Sequence, residues 1–241
     1  MAYLDVFERY EYKYLLTTSQ KNALLCETGD RLILDQYGRT TIRNVYYDTD
    51  SFRLIRESLD HPVYKEKLRV RSYQRADGED MVFVEIKKKF EDVVYKRRVA
   101  VPKMTAGSWI DGGMSIPFTT QITSEIDYFL KFYEGISAKA FISYEREAYT
   151  CRTDPDFRLT LDENILARDT DLDLGSDIWG SSLLPPGTTL MEVKIPGVMP
   201  LWMAGFLSRH GIRKITYSKY GTYYQDHLAA GRDPERNIIY A

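Results

Sequence analysis

The chain has 241 residues, 44% of them hydrophobic, and a formal net charge of -2 at pH 7. This size and hydrophobic content suffice for a full core, so we expect a single domain over residues 1–241. The near-neutral charge argues against a generally basic nucleic-acid-binding protein, because the field of the whole molecule would not attract DNA. Any positively charged site must therefore be local.

Cysteine and histidine usage gives no sign of a disulfide framework or of a histidine-based metal site. The two cysteines, Cys26 and Cys151, fit a reducing, cytoplasmic setting, and we expect each to be a small buried hydrophobic residue. The three histidines, His61, His210 and His227, are scattered along the chain. No apolar run approaches the ~18 residues of a transmembrane helix, and the N-terminus has no signal-peptide pattern.

In chain order, the first predicted elements are two strands and two helices. Alternating aromatic and charged residues predict a strand at Val6–Leu16. A threonine after it is a suitable N-cap for a helix over Gln20–Glu27. A second strand at Ile42–Asp48 then precedes a short amphipathic helix that runs from Phe52 to Leu59.

The stretch from Tyr64 to Val101 contains three strand-like segments with a basic residue at almost every second position. Successive side chains of a strand point to opposite faces, so each segment would be charged on one face and apolar on the other. A solvated outer face is the alternative. Such a face normally mixes signs, because like charges across a strand pair repel, so the excess favours a polyanionic ligand. The cations concerned are Lys65, Lys67, Arg69, Arg71, Lys87, Lys89, Lys96 and Arg98.

Helices and strands alternate in the rest of the chain. Residues Pro102–Phe118 predict a connector with one helical turn, and the acidic segment Asp169–Pro186 predicts a mobile loop. About eight strands with inserted helices indicate the α+β class, with a large antiparallel barrel or a strongly curved sheet. The remaining predicted elements are strands at Phe141–Thr150, Phe157–Ile165, Leu190–Ile195 and Ile212–Tyr217 and helices at Ile122–Tyr133, Pro200–His210 and Lys219 to about Ala230.

The predicted basic face draws residues from almost every strand. Thirteen basic residues fall on it against four acidic ones, a surplus of nine positive charges, so the rest of the chain carries -11. A barrel lined in this way would focus its field on an anion that enters it. The acidic residues are Glu11, Glu85, Asp162 and Glu192, and the five further basic residues are Arg9, Lys13, Arg146, Arg158 and Lys194.

Short paired motifs on these strands resemble those of a known family. They are Glu11-x-Lys13, Lys67-x-Arg69-x-Arg71, Glu85-x-Lys87, Lys96-x-Arg98, Tyr144-x-Arg146, Arg158-x-x-x-Asp162, Glu192-x-Lys194 and Ser218-Lys219. Each pair alone is weak, but eight in order over nearly the whole chain are a strong match. They resemble the triphosphate tunnel metalloenzymes (the CYTH-like superfamily), and most of all the catalytic domain of the vacuolar transporter chaperone (VTC) family.

The resemblance implies an eight-stranded antiparallel β-barrel tunnel with helices packed outside. In the VTC family such a tunnel binds Mn²⁺ or Mg²⁺ and transfers the γ-phosphate of ATP to a growing chain of inorganic polyphosphate. By this resemblance the catalytic residues are Arg69, Arg71, Lys87, Arg146 and Lys219. The residues that bind phosphates are then Lys13, Lys67, Lys96, Arg98, Arg158, Lys194, Ser218 and Tyr144, and the metal ligands are Glu192, Glu85 and Glu11.

One position departs from the family pattern, and it keeps other functions open. Where the family has a lysine two residues before Ser218, this chain has Thr216, and Lys214 is the candidate substitute. The alternatives to a polymerase are a tunnel triphosphatase, which hydrolyses its substrate, and a module that binds polyphosphate without turnover. Nucleic acid is not an expected partner, because the cations are predicted to lie inside a tunnel. Association with a membrane would require partner proteins.

Overall fold

The computed structural model describes residues 10–60, 62–91 and 93–229. Its strands are β1 (Tyr10–Thr17), β2 (Leu32–Asp48), β3 (Tyr64–Ser72), β4 (Met81–Phe90), β5 (Val93–Pro102), β6 (Ser137–Cys151), β7 (Arg158–Arg168), β8 (Ser181–Ser182), β9 (Thr188–Ile195) and β10 (Lys214–Ile215). Its helices are α1 (Thr18–Thr28), α2 (Arg53–Leu59), α3 (Lys103–Ile110), α4 (Gln121–Phe132), α5 (Leu201–Arg209) and α6 (Lys219–Tyr223), and a π-helical turn, Tyr224–Leu228, follows α6.

The strands form one antiparallel sheet in the order β10-β1-β9-β7-β6-β2-β3-β4-β5, and β8 pairs with β7. The α+β class and the outer helices are confirmed. The predicted eight-stranded closed barrel is wrong in two respects, because the described strands number ten and no backbone pairing between them joins β5 to β1 or β10. Side chains nevertheless cross this opening, since the Lys87 ammonium of β4 lies 3.5 Å from the Glu11 carboxylate of β1.

The outer face of β3, β4 and β5 packs against α3 and α4. Val82, Val84 and Ile86 of β4 are fully buried there in one hydrophobic cluster with Trp109 and Phe129. The apolar residues predicted to alternate with the lysines of this strand therefore form the core. Their burial leaves the charged residues on the opposite face of the same strands.

Two predicted boundaries are wrong because the sequence pattern there is irregular. Strand β2 begins at Leu32 rather than Ile42, since its first half is polar and partly exposed and pairs with β6 without hydrophobic alternation. The predicted connector after Pro102 contains α3, an eight-residue helix that buries Trp109 and Ile110. Glycine and serine within α3 conceal the helical period.

The acidic segment after β7 is a loop, as predicted, apart from the short strand β8, and it is anchored around Arg168. The guanidinium of Arg168 is buried and stacks on the rings of Phe141 and Trp179. Arg43 in turn donates to the carbonyl oxygens of Leu174 and Ser176. Every residue has a backbone carbonyl, so the sequence does not show which carbonyls accept hydrogen bonds from Arg43 and Arg168. This anchoring was therefore not predictable. At 2.8–3.2 Å, Arg168 donates to the carbonyl oxygens of Thr170, Asp171, Asp177 and Trp179.

The two cysteines differ in exposure. Cys151 is buried as predicted, whereas Cys26 is exposed, contrary to expectation, because α1 buries only Leu24 and Thr28. Both are free thiols. None of the described helices is both long and apolar enough to cross a bilayer.

Asp48 links the end of β2 to α2 and α6. Its side chain is fully buried. One carboxylate oxygen accepts hydrogen bonds from the backbone amides of Thr49 and Leu54 at 2.8 and 2.9 Å. The other accepts from the amide of Ile55 at 3.0 Å and from the hydroxyl of Tyr220 at 3.2 Å. Asp48 therefore caps α2 and fixes α6 against the sheet.

Replacing Asp48 by alanine should lower the free energy of unfolding by about 3 kcal/mol, because several buried donors lose their acceptor and each such loss costs roughly 1–3 kcal/mol. Urea denaturation followed by circular dichroism measures the change. Asp50→Ala is the matched control, since Asp50 lies two residues away and is exposed. Equal midpoints for Asp48→Ala and the control would contradict this capping role.

Candidate functional site

Strand register brings the predicted cations to one face of the sheet, termed here the inner face. Directly opposed residues in a ladder point to the same side. Twelve of the thirteen predicted cations share this face, and Arg9 lies outside the described residues. The pairs that fix the register are Lys13 with Glu192, Lys194 with Arg158, Arg146 with Asp162, Arg69 with Glu85, and Lys87 with both Lys67 and Lys96.

Residues 217–220, just before and within the start of α6, lie across the interior and contact four separate strands. A segment that touches four strands at once must lie inside the curve of the sheet. Residues 217–220 therefore cover part of the inner face. The contacts are Lys13 of β1 to the Tyr217 carbonyl (2.8 Å), Lys67 of β3 to Ser218 Oγ (2.8 Å), Lys219 to Asp162 of β7 (2.6 Å), and Tyr220 stacked on Tyr46 of β2 (5.0 Å).

Asp162 is the most tightly bound carboxylate of the inner face. It is fully buried and accepts hydrogen bonds from Arg146 at 2.6 and 2.7 Å and from Lys219 at 2.6 Å. Burial would raise the pKa of Asp162, but Lys219 and Arg146 lower it below its usual range. Asp162 therefore stays ionised and fixes two cations that the sequence predicts to be catalytic.

Glu192 is less tightly bound by cations than Asp162. Its oxygens lie 3.5–3.9 Å from the nearest cationic nitrogens. Glu11 on the next strand shares Lys13 and Lys194 with it. The hydroxyl of Thr160, opposite Glu192 in the β7–β9 register, is buried without a hydrogen-bond partner among the described residues. Burial raises the pKa of Glu192, but the surrounding cations lower it well below its usual value.

Glu85 lies on β4, and among the residues that the structure describes it shares no ion pair partner with Glu11 or Glu192. Its carboxylate is buried and lies 2.7 Å from both Arg69 and Lys96 and 3.7 Å from Arg98. Burial would raise the pKa of Glu85, but Arg69, Arg71 and Lys96 lower it to about 2. Within residues 10–60, 62–91 and 93–229, no three His, Cys, Asp or Glu side chains form a group suited to a metal ion. The metal ligands therefore remain a prediction.

Arg71 is a buried cation of the inner face, and no ion pair with a carboxylate is found for it in the described part of the chain. It is 5% exposed and donates to Asn44 Oδ1 at 2.8 Å and to the Tyr144 hydroxyl at 2.9 Å. Asn44 is oriented by its own hydrogen bond to the Ile142 carbonyl at 2.9 Å. Both partners of Arg71 are neutral, so its charge remains available to an anion.

Several residues that position the site were given no role from the sequence. Asp162 was counted among four acids and in the motif Arg158-x-x-x-Asp162 but was not assigned a function, and none was assigned to Asn44, Tyr46 or Thr160. Asn44 and Tyr46 stand two residues apart in a predicted strand, so alternation alone could have placed them on one face. The contact of Lys219 with Asp162 joins residues 57 positions apart and left no local signal.

Lys214 does not substitute for the missing family lysine. Its side chain is exposed, and its ammonium lies 4.7 Å from the ring centroid of Tyr12. Tyr12 packs with the hydrophobic cluster on the side of β1 opposite to Glu11 and Lys13. The predicted replacement is therefore wrong, because the alternation of the strand directs Lys214 outward.

Four inner-face lysines, Lys65, Lys67, Lys87 and Lys96, have lowered pKa values, chiefly because they are buried. Burial lowers the pKa of Lys67 to about 7, and repulsion from Lys13 and Lys87 acts in the same direction. Burial also lowers the pKa of Lys96 to about 8, although Glu85 offsets part of the effect. A polyanion bound nearby would favour the charged forms of these lysines.

Binding of tripolyphosphate at pH 8 is expected to take up protons from solution, because Lys67 is largely neutral at this pH until an anion stabilises its charge. Calorimetric titrations in buffers of different ionisation enthalpy measure the uptake. Lys67→Met should reduce it by about one proton, whereas Lys131→Met, at an exposed position of α4, should leave it unchanged. At pH 6 the difference should vanish, since Lys67 is then protonated in both states. Equal uptake by both variants at pH 8 would exclude this role.

Comparisons with known proteins agree with this architecture. The sequence profile of the VTC domain matches residues 8–226. No curated protein matches the sequence. A Bacillus halodurans protein described as a "putative adenylate cyclase" is 14% identical with a TM-score of 0.55, covering 88% of this chain and 95% of that one. A "putative adenylyl cyclase" from Hippeastrum, described as having a dominant triphosphatase activity, is 15% identical with a TM-score of 0.54, covering 89% and 94%. At such identities the similarity concerns the fold alone.

Proposed function

This chain belongs to the VTC domain family, and from that premise we propose that it transfers the γ-phosphate of ATP to a growing chain of inorganic polyphosphate. The observation that carries the proposal is the convergence of cations from seven strands, β1, β3, β4, β5, β6, β7 and β9, on the inner face. Such a density of like charge is costly in an empty protein. A polyphosphate offsets that cost.

Phosphoryl transfer requires positioning and charge neutralisation rather than a side-chain nucleophile. Arg69, Arg71 and Arg146 supply planar forks that match phosphate oxygens, and the lysines supply point charges. Glu85 and Asp162 hold four of these cations in place, namely Arg69, Lys96, Arg146 and Lys219. We therefore assign Arg71 and Arg146 to the reacting phosphates and the lysines to the chain of phosphates on either side.

The carboxylates near Thr160 fit a divalent cation. Mg²⁺ is commonly held by one or two carboxylates together with substrate phosphates and water, rather than by a complete protein cage. Glu192, with Glu11 beside it and the unpaired Thr160 hydroxyl, offers such a partial set of oxygen ligands. Mg²⁺ or Mn²⁺ bound there would supply neutralisation of charge on the transferred phosphoryl group.

A second candidate is hydrolysis of a triphosphate, and residues 217–220 favour it. Beyond Lys219 the inner face becomes apolar. Leu190 lies two residues before Glu192 on β9, and Ile142 lies two residues before Tyr144 on β6. Both pack in one cluster with Tyr220. A long phosphate chain would meet this layer, whereas a triphosphate would not reach past it.

The products formed from ATP distinguish these functions. Purified protein is incubated with γ-labelled ATP and Mn²⁺, and the products are separated on a gel. Long anionic chains that carry the label support the polymerase, and labelled orthophosphate alone rejects it in favour of the triphosphatase. Absence of turnover together with tight binding of polyphosphate would identify a binding module instead. The predicted cytoplasmic setting and membrane partners remain predictions.

A further inference from the structure

An aromatic surface lies at the end of β3 where β4 adjoins it, and the proposed chemistry uses only its cation, Arg98. Tyr73, Phe83 and Arg98 form this aromatic shelf. The rings of Tyr73 and Phe83 meet edge to face with centroids 5.5 Å apart. The guanidinium of Arg98 lies 3.3 Å from the Phe83 ring centroid and 5.5 Å from that of Tyr73. Tyr73 is 41% exposed, so one part of its ring is open to a ligand.

The shelf is continuous with the cations that are proposed to bind phosphates. Phe83 stands directly opposite Arg71 in the β3–β4 register, and Tyr73 follows Arg71 by two residues. Two residues along a strand span about 7 Å. Arg98 also lies 3.7 Å from Glu85, whose carboxylate holds Arg69. A ligand with a phosphate chain on Arg69 and Arg71 would therefore place its other end at Tyr73.

We propose that the aromatic shelf binds the nucleobase of a nucleoside triphosphate, with the base stacked on the exposed ring of Tyr73. Phe83 supports Tyr73 edge-on, and Arg98 connects the base to the phosphate-binding cations. Every base has a π-face, so such a platform accepts ATP and GTP with similar affinity. This inference rests on the proposed function, because it takes the inner face as the site of the triphosphate. What it adds is a place for the base of that nucleotide, on the ring of Tyr73.

Calorimetric titration with ATP and with tripolyphosphate, which has no base, tests the shelf. Tyr73→Leu should weaken binding of ATP about tenfold, since stacking on one aromatic ring accounts for that much affinity, and should leave binding of tripolyphosphate unchanged. Tyr73→Phe keeps the ring and should retain the affinity for ATP. Tyr37→Leu is the control, because Tyr37 is 74% exposed on β2, outside the shelf.

Two results would overturn the proposal. If Tyr73→Leu weakens both ligands equally, Tyr73 acts by positioning Arg98 rather than by holding a base. If it weakens neither, the base binds elsewhere. The proposed function fails in a different way, since wild-type protein would then form no labelled polyphosphate from ATP, whatever it binds. Binding is measured without turnover, so an inactive protein that prefers ATP through Tyr73 would retain the shelf and exclude the polymerase.

Discussion

Replacing Arg71 by alanine is expected to lower kcat/KM with a triphosphate substrate about a thousandfold, because an arginine directed at a transferred phosphoryl group contributes at least that factor. Arg71 is chosen because its partners are the neutral Asn44 and Tyr144, so its charge is not neutralised by a paired carboxylate. The fold should persist. Loss of two buried hydrogen bonds costs about 2–3 kcal/mol, and relief of repulsion among neighbouring cations offsets part of that cost.

The matched control for this change is Arg75→Ala. Arg75 lies four residues further along the chain, is exposed, and pairs with Asp177 outside the inner face. Steady-state turnover and thermal unfolding should be measured on both variants. Activity in Arg71→Ala at the level of the control would show that the inner face is not the reaction site. A large fall in melting temperature with a proportionate loss of activity would assign Arg71 a structural role.

The alternating strands were predictable because alternation is a local property. The face that carries Lys67, Arg69 and Arg71 follows from the two-residue period of a strand, and the structure places all three on the inner face. The apolar partners Leu68 and Val70 likewise lie in the core. Where the pattern was irregular, as in the polar first half of β2, the same rule gave no signal.

The edges of the sheet and the centre of the site were not predictable in this way. Whether β5 pairs with β1 depends on the curvature accumulated over nine strands, which no short segment encodes. Asp162 becomes central only because α6 returns Lys219 to it across 57 residues. The family motifs Arg158-x-x-x-Asp162 and Ser218-Lys219 included Asp162 and Lys219 separately. These motifs predicted neither the ion pair between Lys219 and Asp162 nor the position of residues 217–220 across the inner face.

Thr216 bears on the choice between polymerase and hydrolase. The family has a lysine at this position, whereas Thr216 is exposed here and Lys214 points outward. Near Glu192, the side-chain nitrogens of Lys219, Arg146 and Lys13 all lie within 4 Å of its carboxylate. The charge around Glu192 therefore depends on the balance between these cations and three carboxylates, namely Glu192 itself, Asp162 and Glu11. This makes Glu192 the residue whose neutralisation is most informative.

Glu192→Gln is expected to weaken binding of Mn²⁺ in the presence of tripolyphosphate by more than about a hundredfold, because loss of a ligand exceeds the roughly 10–100-fold effect of losing an outer-shell partner. Binding of tripolyphosphate without metal should be unchanged or tighter, since a negative charge is removed from an anion site. Metal-activated turnover should fall accordingly. Titration with Mn²⁺ followed by paramagnetic resonance measures the metal affinity independently of activity.

The opposite signs of these two effects separate a metal ligand from a structural residue. A variant that is merely destabilised would lose affinity for both the metal and the anion. Glu147→Gln is the control, because Glu147 pairs with Lys21 away from the inner face. Glu85→Gln provides a second comparison within the site. Its carboxylate is engaged by Arg69 and Lys96, so its loss should disturb phosphate binding and leave the affinity for Mn²⁺ near that of the wild type. If Glu85→Gln loses affinity for Mn²⁺ and Glu192→Gln keeps it, the divalent cation binds at Glu85 on β4 and not at Glu192 on β9.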